Sequence, residues 1–275
     1  MSTQQLDPTG AWNRIATGYD EFVTPTHLEV SNEGIARSGL RRGDRFLDVA
    51  AGTGALSIPA ARLGAEVVAT DIAPVMVERL QARAEAEGLD NVTGRVMDGH
   101  ALDFEDDTFD VAGSQFGVML FPDLPRALGE MARVVKPGGR VLVTAFGSPA
   151  EIEFLGFFLG AMKAAIPGFT GLPTDPPPPE FQIAHPAKLQ AALADAGLKD
   201  VQVESTTETL EFGSADEMWN WVTNSNPIGA SLVAGLNDDQ SSEVRGVLEG
   251  MLRERAQGNG VAVLTNPVNI GIGVK

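Results

Sequence analysis

Cysteine is absent from the 275 residues. That excludes disulfides, thiolate metal sites and cysteine nucleophiles together, and it fits a reducing compartment, the cytoplasm. Histidine is scarce, with three copies, and no H-E-x-x-H or EF-hand spacing occurs, so the sequence offers no metal site. Positive charge is short as well: 20 Lys and Arg stand against 37 Asp and Glu, a formal charge of −17. The densest basic patch is Arg41-Arg42, with Arg37 and Arg45 nearby. Nucleic acid is held by clustered cations, so neither DNA nor RNA suits this chain, and an anionic membrane surface is disfavoured for the same reason. No apolar run reaches the roughly 18 residues that span a bilayer, so no membrane insertion is expected. Met1 to Asp7 lacks the basic start and apolar stretch of a secretory signal.

What is present reads as a folded protein with enough length for a sizeable core. Residues 45–147 alternate strand and helix, the pattern of a parallel sheet covered on both faces. Strands are expected at 45–50, 66–71, 92–97, 109–114 and 140–146. Between them fall helices at 55–63, closed by Gly64, from Pro74 to Gly88, and from Pro125 onward. Lys136-Pro-Gly-Gly139 reads as a turn. Past residue 148 the rhythm changes. Residues 151–166 form an apolar helix, and Leu172-Pro-Thr-Asp-Pro-Pro-Pro-Pro179 is a rigid connector that no helix can cross. A helix at 186–196, a strand at 201–204 and helices at 215–222 and 241–256 follow. Residues 268–274 alternate as an exposed-edge strand would. The expected layout is one Rossmann-like domain, its core at 41–147 preceded by 1–40 and followed by 148–275, with helical insertions near 150–182 and 213–260.

The central motif is Phe46-Leu-Asp-Val-Ala-Ala-Gly-Thr-Gly-Ala-Leu56, a strand running into a glycine turn and then a helix. Gly52 and Gly54 lack a Cβ, so the turn can be tight and its backbone can approach a ligand. Asp71 closes the next strand, 19 residues after Gly52, where a carboxylate can accept both hydroxyls of a ribose. Asp98, followed by Gly99, closes the third strand, placed to accept from an adenine amino group. Asp48, Asp71 and Asp98 thus end successive strands, where open α/β sheets bind ligands. Asp48 decides between two ligand classes. It would repel the pyrophosphate of a dinucleotide but welcome a cationic amino-acid tail, and Ser57 occupies the third glycine position of G-x-G-x-x-G. S-adenosylmethionine is favoured over NAD(P).

These segments resemble the class I S-adenosylmethionine-dependent methyltransferases, in the branch similar to ubiquinone/menaquinone-biosynthesis methyltransferases. The resemblance is carried by Leu47–Gly54, Asp98-Gly-His-Ala-Leu-Asp-Phe-Glu-Asp-Asp-Thr-Phe-Asp110, Phe116-Gly117 and Ala132-Arg-Val-Val-Lys-Pro-Gly-Gly139. It implies an α/β, Rossmann-like, mostly parallel seven-stranded sheet with an antiparallel last strand and helical lid insertions, Val201–Glu204 and Val268–Val274 serving as its last two strands. It also implies that the turn with Thr53 holds the methionine tail and Asp71 the ribose. Ile72 and Met76 would flank the adenine, Asp98 and Gly99 would read its edge, and Gln115 would touch the cofactor. Trp12 to Tyr19 resembles a cap closing over it, with Tyr19 as a contact. Ala50 stands where this family usually has glycine, which implies tighter packing without loss of binding.

The implied reaction moves a methyl group from S-adenosylmethionine, leaving S-adenosylhomocysteine, to O, N or C of a small molecule of quinone, phenol or polyketide type. Its alternatives are an NAD(P)-dependent oxidoreductase and an S-adenosylmethionine-binding protein without methyl transfer. His27, in the cap, and His185, at a helix start, are the candidate bases, whereas His100 belongs to the adenine-side loop. Phe154, Leu155, Phe157, Phe158, Leu159 and Met162, with Trp219 and Trp221, either line an acceptor pocket or serve as core or as the face of a homodimer.

Overall fold

In the computed structural model, residues 8–173 and 178–275 are described. The first seven residues and 174–177, the centre of the proline connector, lie outside the described residues. The chain opens with α1 (Pro8–Gly18), a π-helical turn at Tyr19–Val23, a 3-10 turn at Thr24–His27 and α2 (Leu28–Ser38). Strand and helix then alternate through β1 (Arg45–Val49), α3 (Ser57–Leu63), β2 (Glu66–Asp71), α4 (Pro74–Ala86), β3 (Val92–Val96), β4 (Phe109–Gln115), α5 (Leu124–Val134) and β5 (Val135–Phe146). The last third holds α6 (Glu153–Ala165), α7 (Pro186–Asp195), β6 (Lys199–Phe212), α8 (Ala215–Ser225), α9 (Pro227–Val233), α10 (Asp238–Ala256) and β7 (Ala262–Val274).

The seven strands form one sheet in the order β3-β2-β1-β4-β5-β7-β6. β1 pairs in parallel with β2 and β4, while β7 runs antiparallel to both β5 and β6. β1 and β4 are covered on both faces, so they carry continuous apolar runs around Phe46, Leu47, Phe109 and Val111, all nearly inaccessible. α5 shows why its segment is helical: Leu124, Leu128 and Met131 recur at helical spacing and are buried, and the Asp123 side chain accepts from the Arg126 backbone N–H at 3.2 Å to start it. Lys136–Gly139, expected as a turn, is instead a bulge inside β5, which starts at Val135. It loops out between two stretches of β4–β5 pairing, Phe109 facing Val135 and Val111 facing Arg140.

Two corrections concern the last strands. β7 is not an exposed edge; it lies between β5 and β6. Its glycines lower the apparent hydropathy because α7 presses on them: a Cβ at Gly271 would sit 2.8 Å from Leu193 Cδ1. β6 runs to Phe212, eight residues beyond the expected 201–204, and pairs with β7 over that whole extension. Part of the apolar stretch after 153 is core, since Phe154, Phe158 and Met162 are buried. Among the described residues no helix is long and apolar enough to cross a membrane.

Candidate functional site

A cavity of about 340 Å³ opens at the C-terminal ends of β1, β2 and β4, within the size range of small-molecule sites. The glycine turn forms its floor. Ala50 and Gly52 are both left-handed, at φ 55°, and they bend the chain sharply between β1 and α3. Asp71 locks this turn to β2: its carboxylate accepts from the Gly52 N–H and from the Ala73 N–H, each at 2.9 Å. Burial pushes that carboxyl up, and the backbone N–H groups of Ala73, Gly52 and Ile72 oppose the shift only in part. Each carboxylate oxygen keeps further acceptor capacity for a ligand hydroxyl.

Of the twelve residues expected to bind the cofactor, nine line the cavity: Tyr19, Ala50, Gly52, Asp71, Ile72, Met76, Asp98, Gly99 and Gln115. They arrive from four strand ends and the cap, so the juxtaposition is a product of the sheet order. Asp98 accepts from the backbone N–H of His100 at 2.9 Å and meets His100 Nδ1 at 2.7 Å. Partial burial acts to raise Asp98, but His100 and Arg126 outweigh it and hold the carboxyl below its ordinary range. The His100 ring in turn lies 4.7 Å from Phe121, tilted by 34°, and both face the cavity. Phe121, Phe116 and Trp12 line it too and were not singled out as binding residues. Their signal was position: Phe116 follows the end of β4 directly, where ligands collect.

Asp48, Thr53 and Gly54 do not line the cavity. Asp48 is 1% exposed and sits beneath the turn, where Ser57 Oγ donates to its Oδ2 at 2.6 Å and Oδ1 has no partner among the described residues. Burial pushes its pKa up to about 7 against the pull of Ser57, with nearby Asp71 adding to the rise. Thr53 is spent on a buried hydroxyl–hydroxyl bond to Thr24, which ties the turn to the cap. Gly54 packs against Leu80 and Ile58.

The two candidate bases part company. His185 is exposed and starts α7, its Nδ1 accepting from the Ala187 N–H at 3.2 Å. His27 is 4% exposed and bonds Glu208 on β6, Nδ1 to Oε1 at 2.6 Å. Gln115 Nε2 donates to the His27 carbonyl and to Ser31 Oγ, at 3.2 and 2.9 Å. His27 therefore adjoins a cavity residue, whereas His185 is a helix cap.

The strained turn yields a stability prediction. A left-handed alanine is disfavoured by roughly 1–2 kcal/mol, part of which glycine returns through greater freedom when unfolded. Ala50→Gly is expected to raise stability by roughly 0.5–1 kcal/mol, read as a higher urea midpoint at unchanged slope. A lower midpoint would show that the Ala50 methyl contributes more by packing than its backbone loses.

Residues 46–139 match a family described as a methyltransferase domain. A demethylmenaquinone methyltransferase of Clavibacter sepedonicus is 36% identical over 179 residues, 62% of this chain and 71% of that one. An uncharacterized protein of Mycobacterium tuberculosis is 35% identical over 192 residues, 69% of this chain; the match spans 66% of that relative, just under two thirds of its length. Among solved structures, the YcgJ protein from Bacillus subtilis superimposes with a TM-score of 0.55 at 20% identity, over 90% of this chain and 98% of that one.

Proposed function

Because the chain belongs to the class I S-adenosylmethionine-dependent methyltransferases, we propose that it methylates O, N or C of a small aromatic or lipophilic molecule of the quinone, phenol or polyketide type. The observation that carries the reading is the glycine turn pinned by Asp71 against a cavity of about 340 Å³. The residues present fit the family's cofactor. Asp71 offers acceptor capacity at the depth of the turn, Asp98 offers more at the far wall, and Ile72, Met76 and the His100–Phe121 pair supply flat apolar faces between them. We assign the ribose to Asp71, the adenine edge to Asp98 and Gly99, its faces to Ile72 and Met76, and the amino-acid tail to the backbone at Ala50 and Gly52.

When bound, that cofactor supplies the electrophilic methyl group and its leaving group. The chain's own work is alignment and the exclusion of water, a contribution that can reach roughly 7–11 kcal/mol. Trp12 and Tyr19 close the cavity from the cap, and Gln115 carries contact from the cavity to His27. We take His27, not His185, as the base. The net charge of −17 supports an uncharged or cationic acceptor rather than a nucleic acid. The lack of cysteine supports a cytoplasmic setting.

Thermal unfolding with added ligands tests the assignment. S-adenosylhomocysteine at 100 times its Kd stabilises by about 2.7 kcal/mol, several degrees in Tm, and NADH is expected to give no shift. A shift with NADH and none with S-adenosylhomocysteine refutes the reading. Transfer of isotope-labelled methyl to a panel of phenols, quinones and amines then separates an enzyme from a binding protein.

A further inference from the structure

Two of the cavity residues hold each other. Asp98 Oδ1 accepts twice from His100, from its backbone N–H at 2.9 Å and from its ring Nδ1 at 2.7 Å. Neither bond uses Oδ2, and the Asp98 side chain stays 53% exposed, so its second oxygen is within reach of a ligand. Partial burial raises the carboxyl, but His100 and Arg126 lower it further, so near neutral pH it is ionised and can only accept. The His100 proton therefore sits on Nδ1. A backbone bond alone leaves a carboxylate free to turn, because its last torsion has broad wells. A second bond, from a fixed ring, stops that rotation.

The ring is itself held. Phe121 lies against its face, centroids 4.7 Å apart and tilted by 34°. Phe121 comes this close because residue 99 is glycine: a Cβ there would sit 2.6 Å from Phe121 Cε2 and 2.8 Å from Val49 Cγ1. Gln182 Nε2, beyond the proline connector, donates to the Phe121 carbonyl at 3.0 Å and to that of Met119 at 2.7 Å. Arg126 Nε donates to the His100 carbonyl at 2.8 Å. Asp98, Gly99, His100 and Phe121 all line the cavity. One carboxylate oxygen is thus spent, and the other is held in a set direction beside a flat apolar wall.

We infer that His100 is a positioning residue that determines specificity: by occupying Oδ1 it aims Oδ2 of Asp98 at the exocyclic amino group of an aminopurine, and so makes the site reject an oxopurine. The inference rests on the assignment of the adenine edge to Asp98 under the methyltransferase reading above. An amino group donates to the second oxygen. A carbonyl in its place only accepts, and would face an ionised carboxylate with no proton between them. A site built on such a bond discriminates by the penalty of leaving its polar groups unpaired. A carboxylate free to turn could instead reach the ring N–H that an oxopurine carries beside its carbonyl, and the discrimination would fade.

The test compares S-adenosylhomocysteine with its deaminated form, S-inosylhomocysteine, by isothermal titration. The native protein is expected to bind the amino form at least about tenfold more tightly. Two variants divide the ring from its nitrogen. His100→Phe keeps a ring against Phe121 and loses the side-chain bond to Asp98; it is expected to bind S-adenosylhomocysteine with the preference gone. His100→Asn loses the ring, but its amide nitrogen stands where Nδ1 stood, and it is expected to retain the preference. A native protein that binds both ligands alike, a preference that survives in His100→Phe, or one lost in His100→Asn as well overturns the inference. Asp98→Asn, which can turn a donor toward the carbonyl, is expected to favour the deaminated ligand. If it leaves the ratio unchanged, the adenine assignment falls and the inference with it. A native protein that binds neither ligand overturns the methyltransferase reading and what rests on it.

Discussion

Asp48→Asn removes a loss of stability that the native protein undergoes as pH rises from about 4 to about 7. Folding lifts the Asp48 carboxyl to about 7, mainly by burial, whereas the unfolded chain releases that proton near pH ~3.9. Between those values the folded state binds more protons than the unfolded state. The contribution of Asp48 to stability is therefore fully present below the window and falls as pH climbs through it. Three units correspond to at most about 4 kcal/mol. Asparagine is neutral throughout and keeps an oxygen that accepts from Ser57 Oγ. Urea unfolding of both proteins at pH 5 and pH 8 provides the check. Asp71 and Glu180, also raised by burial, slope the same way, and Asp98 and Glu130, held low, slope the other, so only the native–variant difference isolates position 48. That difference is expected to move in favour of the variant as pH rises; a constant difference would refute the account. A cationic tail lying on the turn favours the ionised carboxyl, so cofactor affinity is expected to increase with pH in the native protein and to stay level in the variant.

Asp71→Ala is expected to weaken S-adenosylhomocysteine binding roughly 10- to 150-fold, the worth of charge-assisted bonds at about 1.5–3 kcal/mol. Two effects combine. The ligand loses its acceptor, and the Gly52 and Ala73 N–H groups lose theirs, so the turn that forms the cavity floor keeps only the Ala51 N–H to Thr70 carbonyl bond and the Thr70 hydroxyl bond as ties to β2. Asp71→Asn keeps one acceptor oxygen and is expected to fall between the two. Isothermal titration reads both variants, and an unaltered affinity for Asp71→Ala removes the ribose assignment.

The donor half of the site was legible because it is local. A strand, a glycine turn and an acid at each following strand end are short patterns, and the parallel pairing of β1, β2 and β4 brings Gly52, Asp71 and Gln115 to one rim. The sheet itself, including the antiparallel β7, was legible from the same alternation and the family resemblance. What was not legible is not local. Glu208 lies 181 residues from His27, and its strand read as ending at 204 because Thr207, Thr209 and Glu211 face solvent and lower the hydropathy of the whole segment. In-phase spacing with Leu210 and Phe212 was the signal that marked Glu208 as inward. Asn266 had the same signal from Leu264 and Val268. Asp48 shows the opposite failure. Its position in the motif was legible, but whether its side chain faces the ligand or lies beneath the turn depends on Ser57, nine residues on, and on the packing of α3.

α1 is joined to α4 differently from the rest of the cap, whose Val23, Val30 and Ile35 belong to the main core and whose Thr24 bonds Thr53. Ile15 and Ala16 meet Ala73 and Met76 in a small apolar patch separate from the main core. Beyond that patch, the attachment to α4 is polar: Val75 N–H donates to Asn13, Arg79 to Thr17, and Arg83 pairs with Asp20. Water competes for such bonds, which leaves each worth at most about 1 kcal/mol. An attachment of this kind is expected to open for less free energy than parting the sheet. α1 is thus expected to exchange its amide hydrogens sooner than the central strands of the sheet.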